Sequence, residues 1–329
     1  MKLRKAVSRF GLGVALFVSG CVALTTVRED RTFDAPKPDI HASTDPAVIA
    51  RGGYLVNGAA HCADCHGAMD QEDKMLRGEI VPLSGGREFH LPVGTFRVPN
   101  ITPDPATGIG RYTDEELARA LRYGVHPSGR AMLPFMPFND LADDDLAAII
   151  SYLRAQPPVT HVVPAHEPSA AGKLVKAWVL QPRGPEETPK KAIKPEPTAA
   201  YGDYLANHVG NCVNCHTKVN LRTGELDGPK FGGGAIHEST KDPKKKFVSP
   251  NLTPDPSSGW ITDWSEDMFV ARMHSGRVHD GSPMPWQAFK NMSDDDLRAI
   301  YRYLRTLPPM SGGPDPAKRE TVVLTASNE

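Results

Sequence analysis

Cys62-Ala63-Asp64-Cys65-His66 and Cys212-Val213-Asn214-Cys215-His216 are two copies of one pentapeptide, C-x-x-C-H. This spacing is the attachment pattern of c-type haem. Each thiol can add across a porphyrin vinyl group to give a thioether, and the histidine that follows is held under the iron as its proximal ligand. Two copies predict two covalently bound haems c. Cys62, Cys65, Cys212 and Cys215 are the attachment residues, and His66 and His216 are axial ligands. Two rival readings explain less. A zinc ion could draw four ligands from the cysteine pairs, but this leaves the histidine after each pair as coincidence. A thioredoxin-like C-x-x-C needs a βαβ setting, and no such pattern surrounds either motif.

The motifs sit inside a longer repeat. Gly52-Gly53-Tyr54-Leu55 recurs as Gly202-Asp203-Tyr204-Leu205, 150 residues later. Pro99-Asn100-Ile101-Thr102-Pro103-Asp104-Pro105 recurs as Pro250-Asn251-Leu252-Thr253-Pro254-Asp255-Pro256, and Asp143-Asp144-Asp145-Leu146 as Asp294-Asp295-Asp296-Leu297, both at an offset of 151. Colinear repetition predicts a duplicated domain, spanning 45–158 and 198–309. Residues 159–197, rich in Pro, Lys and Glu, read as a linker. The apolar run from Leu174 to Leu180 interrupts it and is expected to dock onto a domain or the domain interface, with a membrane-surface role as the rival. The tail, 310–329, is polar and expected to pack loosely.

Each unit has the same helical plan. Leu146, Ile149, Ile150 and Leu153 share one helical face, as do Leu297, Ile300, Tyr301 and Leu304. Both helices end before Pro157-Pro158 and Pro308-Pro309. Thr113 with Glu116 predicts a capping box for a middle helix, and its counterpart begins near Ser265. Ser293 with Asp296 suggests another box, and Asp143 is the candidate cap in the first copy. The 31 prolines and 29 glycines imply long irregular loops between helices. A length of 329 residues suits two domains, and a net charge of −1 gives no signal for nucleic acid. Aromatic residues make up only 7%, so a buried porphyrin in each domain would supply missing apolar bulk.

The N-terminus, residues 1–30, reads as an export segment: Met1-Lys2-Leu3-Arg4-Lys5 is basic, and Phe10 to Val27 is apolar. Val18-Ser19-Gly20-Cys21 resembles the bacterial lipobox, which makes Cys21 a candidate for lipidation. An uncleaved anchor and full release are the alternatives. All three place the haems outside the cytoplasm, on the periplasmic side of a bacterial membrane.

These residues together resemble the class I cytochrome c fold, so the expected architecture is mainly α, with two tandem class I cytochrome c domains. The resemblance implies that Gly52 and Gly202 let the last helix cross the first, with Tyr152 and Tyr303 packing at the crossing. It implies that the carbonyls of Pro99 and Pro250 accept from the second nitrogen of each proximal histidine. It also implies a methionine sixth ligand from a loop before the last helix. Phe135-Met136-Pro137-Phe138 and Pro283-Met284-Pro285-Trp286 nominate Met136 and Met284. Met132 is the rival in the first copy, because it aligns with Met284 when counted without gaps from Gly129 and Gly281. Met69, Met75, Met268, Met273 and Met292 read as packing residues. His90, His126, His161, His237 and His279 are other possible ligands, yet none recurs in both copies.

The stretches from His66 to Pro99 and from His216 to Pro250 are longer than in the smallest cytochromes c. They hold the runs Gly85-Gly86 and Gly232-Gly233-Gly234. With the Asn-x-Thr-Pro-Asp loop they resemble multihaem cytochrome subunits of bacterial membrane-bound alcohol, aldehyde and sugar-acid dehydrogenases. That implies an electron relay rather than an enzyme. Its redox-protein partners would be a dehydrogenase on one side and the respiratory chain or a terminal oxidase on the other. The alternative is a dihaem cytochrome c peroxidase, which needs one iron with an open site; a haem sensor or structural subunit is a third reading.

Overall fold

The computed structural model describes residues 24–220, 226–242, 244–311 and 322–325. Cys21 and most of the apolar export stretch lie outside these residues. Among the described residues no helix is long and apolar enough to cross a membrane.

The first half carries α1 (Pro46–Asn57), α2 (Ala63–His66), α3 (Glu72–Leu76), α4 (Asp114–Tyr123) and α5 (Asp143–Ala155); α6 (Ala170–Leu174) follows. The second half carries α7 (Ala199–Tyr204), α8 (Cys212–Cys215), α9 (Glu266–His274), α10 (Trp286–Phe289) and α11 (Asp294–Thr306). Local chemistry sets the starts. Asp45 accepts from the Ala47 amide with Pro46 behind it, and Thr113 and Glu116 form the reciprocal capping box. Ser265 and Ser293 accept from the amides of Met268 and Asp296.

The expectation for Asp143 is corrected. It is the first residue of α5, the cap position is Ala142, and no side chain caps there. Instead the Asp143 and Asp144 amides donate to the Lys190 and Lys191 carbonyls, at 2.9 and 3.1 Å. The connecting segment supplies the acceptors that a local side chain would otherwise provide.

Helix α1 packs across α5, and α7 across α11. A Cβ on Gly52 would lie 1.9 Å from the Ala148 carbonyl oxygen, and one on Gly202 1.9 Å from that of Ala299. Only a residue with no side chain allows backbones that close. Tyr152 and Tyr303 pack beside the crossings, and their hydroxyls take hydrogen bonds from Asn57 and Asn207. Leu55, Val56, Leu146 and Ile150 fill the first crossing; Leu205, Leu297 and Leu304 fill the second.

Helices dominate, but the content is mixed, which qualifies the mainly-α expectation. Each long insertion folds into an antiparallel hairpin. β1 (Glu88–Leu91) pairs with β2 (Gly94–Arg97), and β3 (Glu167–Pro168) joins β2. β4 (Ile236–Glu238) pairs with β5 (Lys245–Val248), and β6 (Val322–Thr325) joins β5 with Val248 opposite Val322. In β1 exposed Glu88 and His90 alternate with half-buried Phe89 and Leu91, the period-2 pattern of a half-covered strand. Strand β6 means that part of the tail is an element of a sheet, consistent with the β-branched Val322-Val323.

The connecting segment runs along the first half. Asn100 Nδ2 donates to the Val159 carbonyl at 2.8 Å, His161 Nδ1 to that of Ser84 at 2.8 Å, and Asn139 Nδ2 to that of Arg183 at 2.7 Å. The Leu174–Leu180 run buries Ala177 and packs against residues 25–31, where Arg28 lies over the Trp178 ring. Met75, Met273 and Met292 are buried, whereas Met268 and Met69 are exposed rather than packed; each falls on the outward side of its short helical segment.

The halves meet through reciprocal contacts. Tyr54 donates to Asp296 Oδ2 at 2.8 Å, and Tyr204 donates to Asp145 Oδ2 at 2.8 Å. The Ser293 amide donates to the Tyr54 oxygen and the Ala142 amide to the Tyr204 oxygen.

Candidate haem sites

Each C-x-x-C-H wraps one helical turn, α2 and α8, so its two sulfurs lie three residues apart on one face. His66 and His216 are buried, at 7% and 8% exposure. His66 Nδ1 lies 2.9 Å from the Pro99 carbonyl oxygen, and His216 Nδ1 3.1 Å from that of Pro250. A carbonyl accepts only, so Nδ1 carries the proton and Nε2 keeps its lone pair. Burial lowers the pKa of both rings, that of His216 to about 4, against the opposing effect of the carbonyl bond. Both are therefore neutral imidazoles with one nitrogen free for a metal.

Burial also pushes the Cys62 and Cys212 thiols up to about 12 and Cys65 to about 11. These surroundings disfavour the thiolates that zinc requires. Among the described residues no three His, Cys, Asp or Glu side chains gather as a metal site, so the four-cysteine zinc reading has no geometric support.

Behind each histidine runs a short ladder. Ile101 N donates to Leu83 O and Gly86 N to Val98 O, both at 2.9 Å. In the second half Leu252 N donates to Phe231 O at 2.8 Å and Gly234 N to Ser249 O at 2.9 Å. Pro99 and Pro250 sit between the rungs. Asn100 and Asn251 hold the next turn, accepting from the amides and hydroxyls of Thr102 and Thr253.

The methionine loops are also braced. Met136 and Met284 are half-buried against the core. Asn139 Nδ2 donates to the Arg122 carbonyl, and the buried Arg122 guanidinium holds the Leu141 carbonyl and Asp143. In the second loop Trp286 is buried, its amide donates to the Met284 carbonyl at 2.8 Å, and Arg272 lies 3.8 Å from its ring centre. The rival Met132 is half-buried beside the Val125–Ala131 bridge, with its amide on the Gly124 carbonyl. Four of the other histidines are engaged through the ring: His90 with the Thr95 hydroxyl at 3.1 Å, His126 with the Ser128 hydroxyl at 2.8 Å, His161 with the Ser84 carbonyl, and His237 Nε2 with the Cys215 carbonyl at 3.0 Å.

Sequence reading missed one contact. Asp64, inside the first motif, is covered by the second half, and Gln287 Nε2 donates to it. Burial raises the pKa of Asp64, partly offset by His61, Gln287, Arg277 and Arg87. No local pattern links positions so far apart. The chain entering each motif also meets its counterpart: a Cβ on Gly210 would lie 3.6 Å from the Ala59 carbonyl oxygen.

The donor set fits haem c: two neutral sulfurs on one turn, a neutral imidazole with Nε2 free, and a thioether on a braced loop. Arg87 Nε and Arg277 Nη1 are buried without a hydrogen-bonding partner, and both side chains act on the charge of Asp64 in the first motif.

Comparison with known proteins agrees with this chemistry. Residues 47–153 match the family model described as cytochrome C oxidase, cbb3-type, subunit III. The chain is 34% identical over 290 residues to the cytochrome c subunit of the quinone alcohol dehydrogenase of Gluconacetobacter polyoxogenes, covering 81% of this chain and 57% of that protein. It is 30% identical over 309 residues to the gluconate 2-dehydrogenase cytochrome c subunit of Pantoea cypripedii, covering 89% and 64%. With a protein named diheme cytochrome c-type from Cereibacter sphaeroides the identity is 31% over 271 residues, covering 79% and 86%. The chain thus spans little more than half the length of the alcohol dehydrogenase subunit, and most of the dihaem cytochrome. Two cysteine pairs on single turns, buried neutral histidines and these likenesses place the chain among the c-type cytochromes, electron carriers that hold haem c covalently.

Proposed function

We propose that the chain carries two haems c in tandem class I cytochrome c domains, residues 45–158 and 198–309. It relays single electrons from a periplasmic or membrane-bound dehydrogenase toward the respiratory chain or a terminal oxidase. The observation that carries this reading is the same proximal geometry in both halves: a buried histidine with Nδ1 on a proline carbonyl. The names of the alcohol and gluconate dehydrogenase relatives support a dehydrogenase as donor. Cys21, as a lipid site or within an anchor, would keep the protein on the periplasmic face of the membrane.

Haem c supplies the reversible ferric–ferrous couple. Residues of the chain fix its surroundings. His66 and His216 present Nε2, and Pro99 and Pro250 orient the rings and raise their donor strength. Met136 and Met284 would also hold the iron, from loops that proline and the buried Phe138 and Trp286 keep stiff. Small rearrangement between oxidation states favours fast transfer, and thioether sulfur raises the potential. The close approach of Ala59 and Gly210 brings the attachment segments together, which would favour transfer between bound haems. A relay is preferred to peroxide reduction because both halves carry the same histidine bond and a Met-Pro-aromatic loop.

The test is an optical spectrum of the oxidised protein, with haem counted per chain. Two haems with two methionine–ferric charge-transfer contributions are expected. One such contribution beside a high-spin iron would overturn the relay in favour of an open catalytic iron.

A further inference from the structure

The glycine runs in the two insertions have a place in this geometry. Gly85 N donates to the His66 carbonyl at 2.8 Å, and Gly233 N to the His216 carbonyl at 2.8 Å. Both adopt the left-handed backbone, with φ of +73° and +74°. A Cβ on Gly85 would lie 2.5 Å from the Pro99 carbonyl oxygen, and one on Gly233 2.6 Å from the Pro250 carbonyl carbon and the Asn251 nitrogen. One residue in each half therefore holds the backbone of the histidine and lies against the peptide whose oxygen orients the ring, with no space for a side chain between them. The ladder rungs beside it leave that peptide little room to retreat.

We infer that Gly85 and Gly233 are positioning residues that fix how closely the proline carbonyl approaches the proximal histidine, and so help set each iron's potential. This rests on reading His66 and His216 as iron ligands. A close Nδ1–H···O bond places more electron density on Nε2, which favours ferric iron and lowers the potential. A methyl group at either glycine displaces the carbonyl, loosens the bond and raises the potential of that haem alone.

The second run contains its own control. Gly234 is also left-handed, at φ +82°, but a Cβ there meets nothing within 4 Å. Gly234→Ala thus carries the backbone cost of a side chain at positive φ without touching Pro250. The experiment is a redox titration of the full-length holoprotein carrying Gly233→Ala or Gly234→Ala, with haem count and methionine ligation first established in the parent. Those parent measurements test the ligand reading separately. Gly233→Ala is expected to raise one midpoint potential and leave the other unchanged, while Gly234→Ala moves neither. Equal shifts from both variants, or none from Gly233→Ala, would overturn the inference. Should Gly233→Ala fail to fold, Gly85→Ala makes the same test on the other haem, and the His Nδ1 proton of the ferrous protein reports the bond directly by NMR.

Discussion

The two halves repeat one plan, yet their buried carboxylates at the shared face are satisfied differently. Asp145 accepts two hydrogen bonds from Arg51, at 2.8 and 2.9 Å, and a third from Tyr204. Its counterpart Asp296 accepts from Tyr54 and has no guanidinium of its own, because Tyr201 stands where the first half has Arg51. Burial accordingly raises the pKa of Asp296. The haem sites differ too. Gln287, Lys290 and Asn291 of the second half reach Asp64, Arg77 and Gly78 beside the first motif. In the opposite direction His208 and Asp140 come only to 4.0 Å, and Cys215 is exposed. On the proposed reading, duplication kept the histidine–proline geometry and let its cover diverge, so two bound haems should titrate at separate potentials.

The largest test of independence is Cys65→Ala. Haem retention is expected to fall in the first half alone, giving close to one haem per chain by pyridine haemochrome assay; full stoichiometry would contradict the assignment. Met136→Ala is next. It should remove about half of the methionine–ferric band while both haems stay attached, whereas Met132→Ala should leave the band intact. On stability, Arg51→Ala strands a buried carboxylate, at a cost of about 3–5 kcal/mol. Tyr54→Phe removes one hydrogen bond from Asp296 and should cost about 1–3 kcal/mol. Denaturant unfolding followed at each haem gives both values, and equal costs would erase the distinction between the two carboxylates.

The smallest expected effect is a pH dependence confined to the second half. His274 places Nδ1 on the Lys290 carbonyl and Nε2 on Asp294, both at 2.8 Å, so both nitrogens donate and the ring is cationic. The carbonyl bond and the carboxylate raise its pKa above 6.5. The stabilisation is therefore complete below about pH 6.5 and is lost as pH rises through the folded value. Arg122 occupies the matching place in the first half, pairing with Asp143 as His274 pairs with Asp294. Thermal melts between pH 5.5 and 8.5 should show this loss in the parent and not in His274→Gln.

Much of this was legible in the chain because it is local. The motifs, the Thr113–Glu116 box and the apolar faces of the last helices each depend on residues within a few positions. Gly52 and Gly202 were legible through the repeat. The hairpins, the Lys190–Lys191 cap of α5 and the Gln287–Asp64 contact were not. The hairpin strands are neighbours in sequence but only three or four residues long, too short for alternation to mark them. The partners in the cap and in the Asp64 contact lie tens to hundreds of residues apart, and no periodicity in either member names the other. Gly85 and Gly233 lie between these cases: the runs were visible, but their purpose depended on where Pro99 and Pro250 fall in space.

The reciprocal Tyr54–Asp296 and Tyr204–Asp145 pairs have the form of a two-fold contact between identical subunits. Here both partners belong to one polypeptide, joined by a tether that is itself fastened down. Such a contact is indifferent to dilution, because each half always sees the other at the effective concentration the tether imposes. The spacing between the two proximal histidines, His66 and His216, is then a property of the fold and does not vary with protein abundance, as it would in a dissociable dimer.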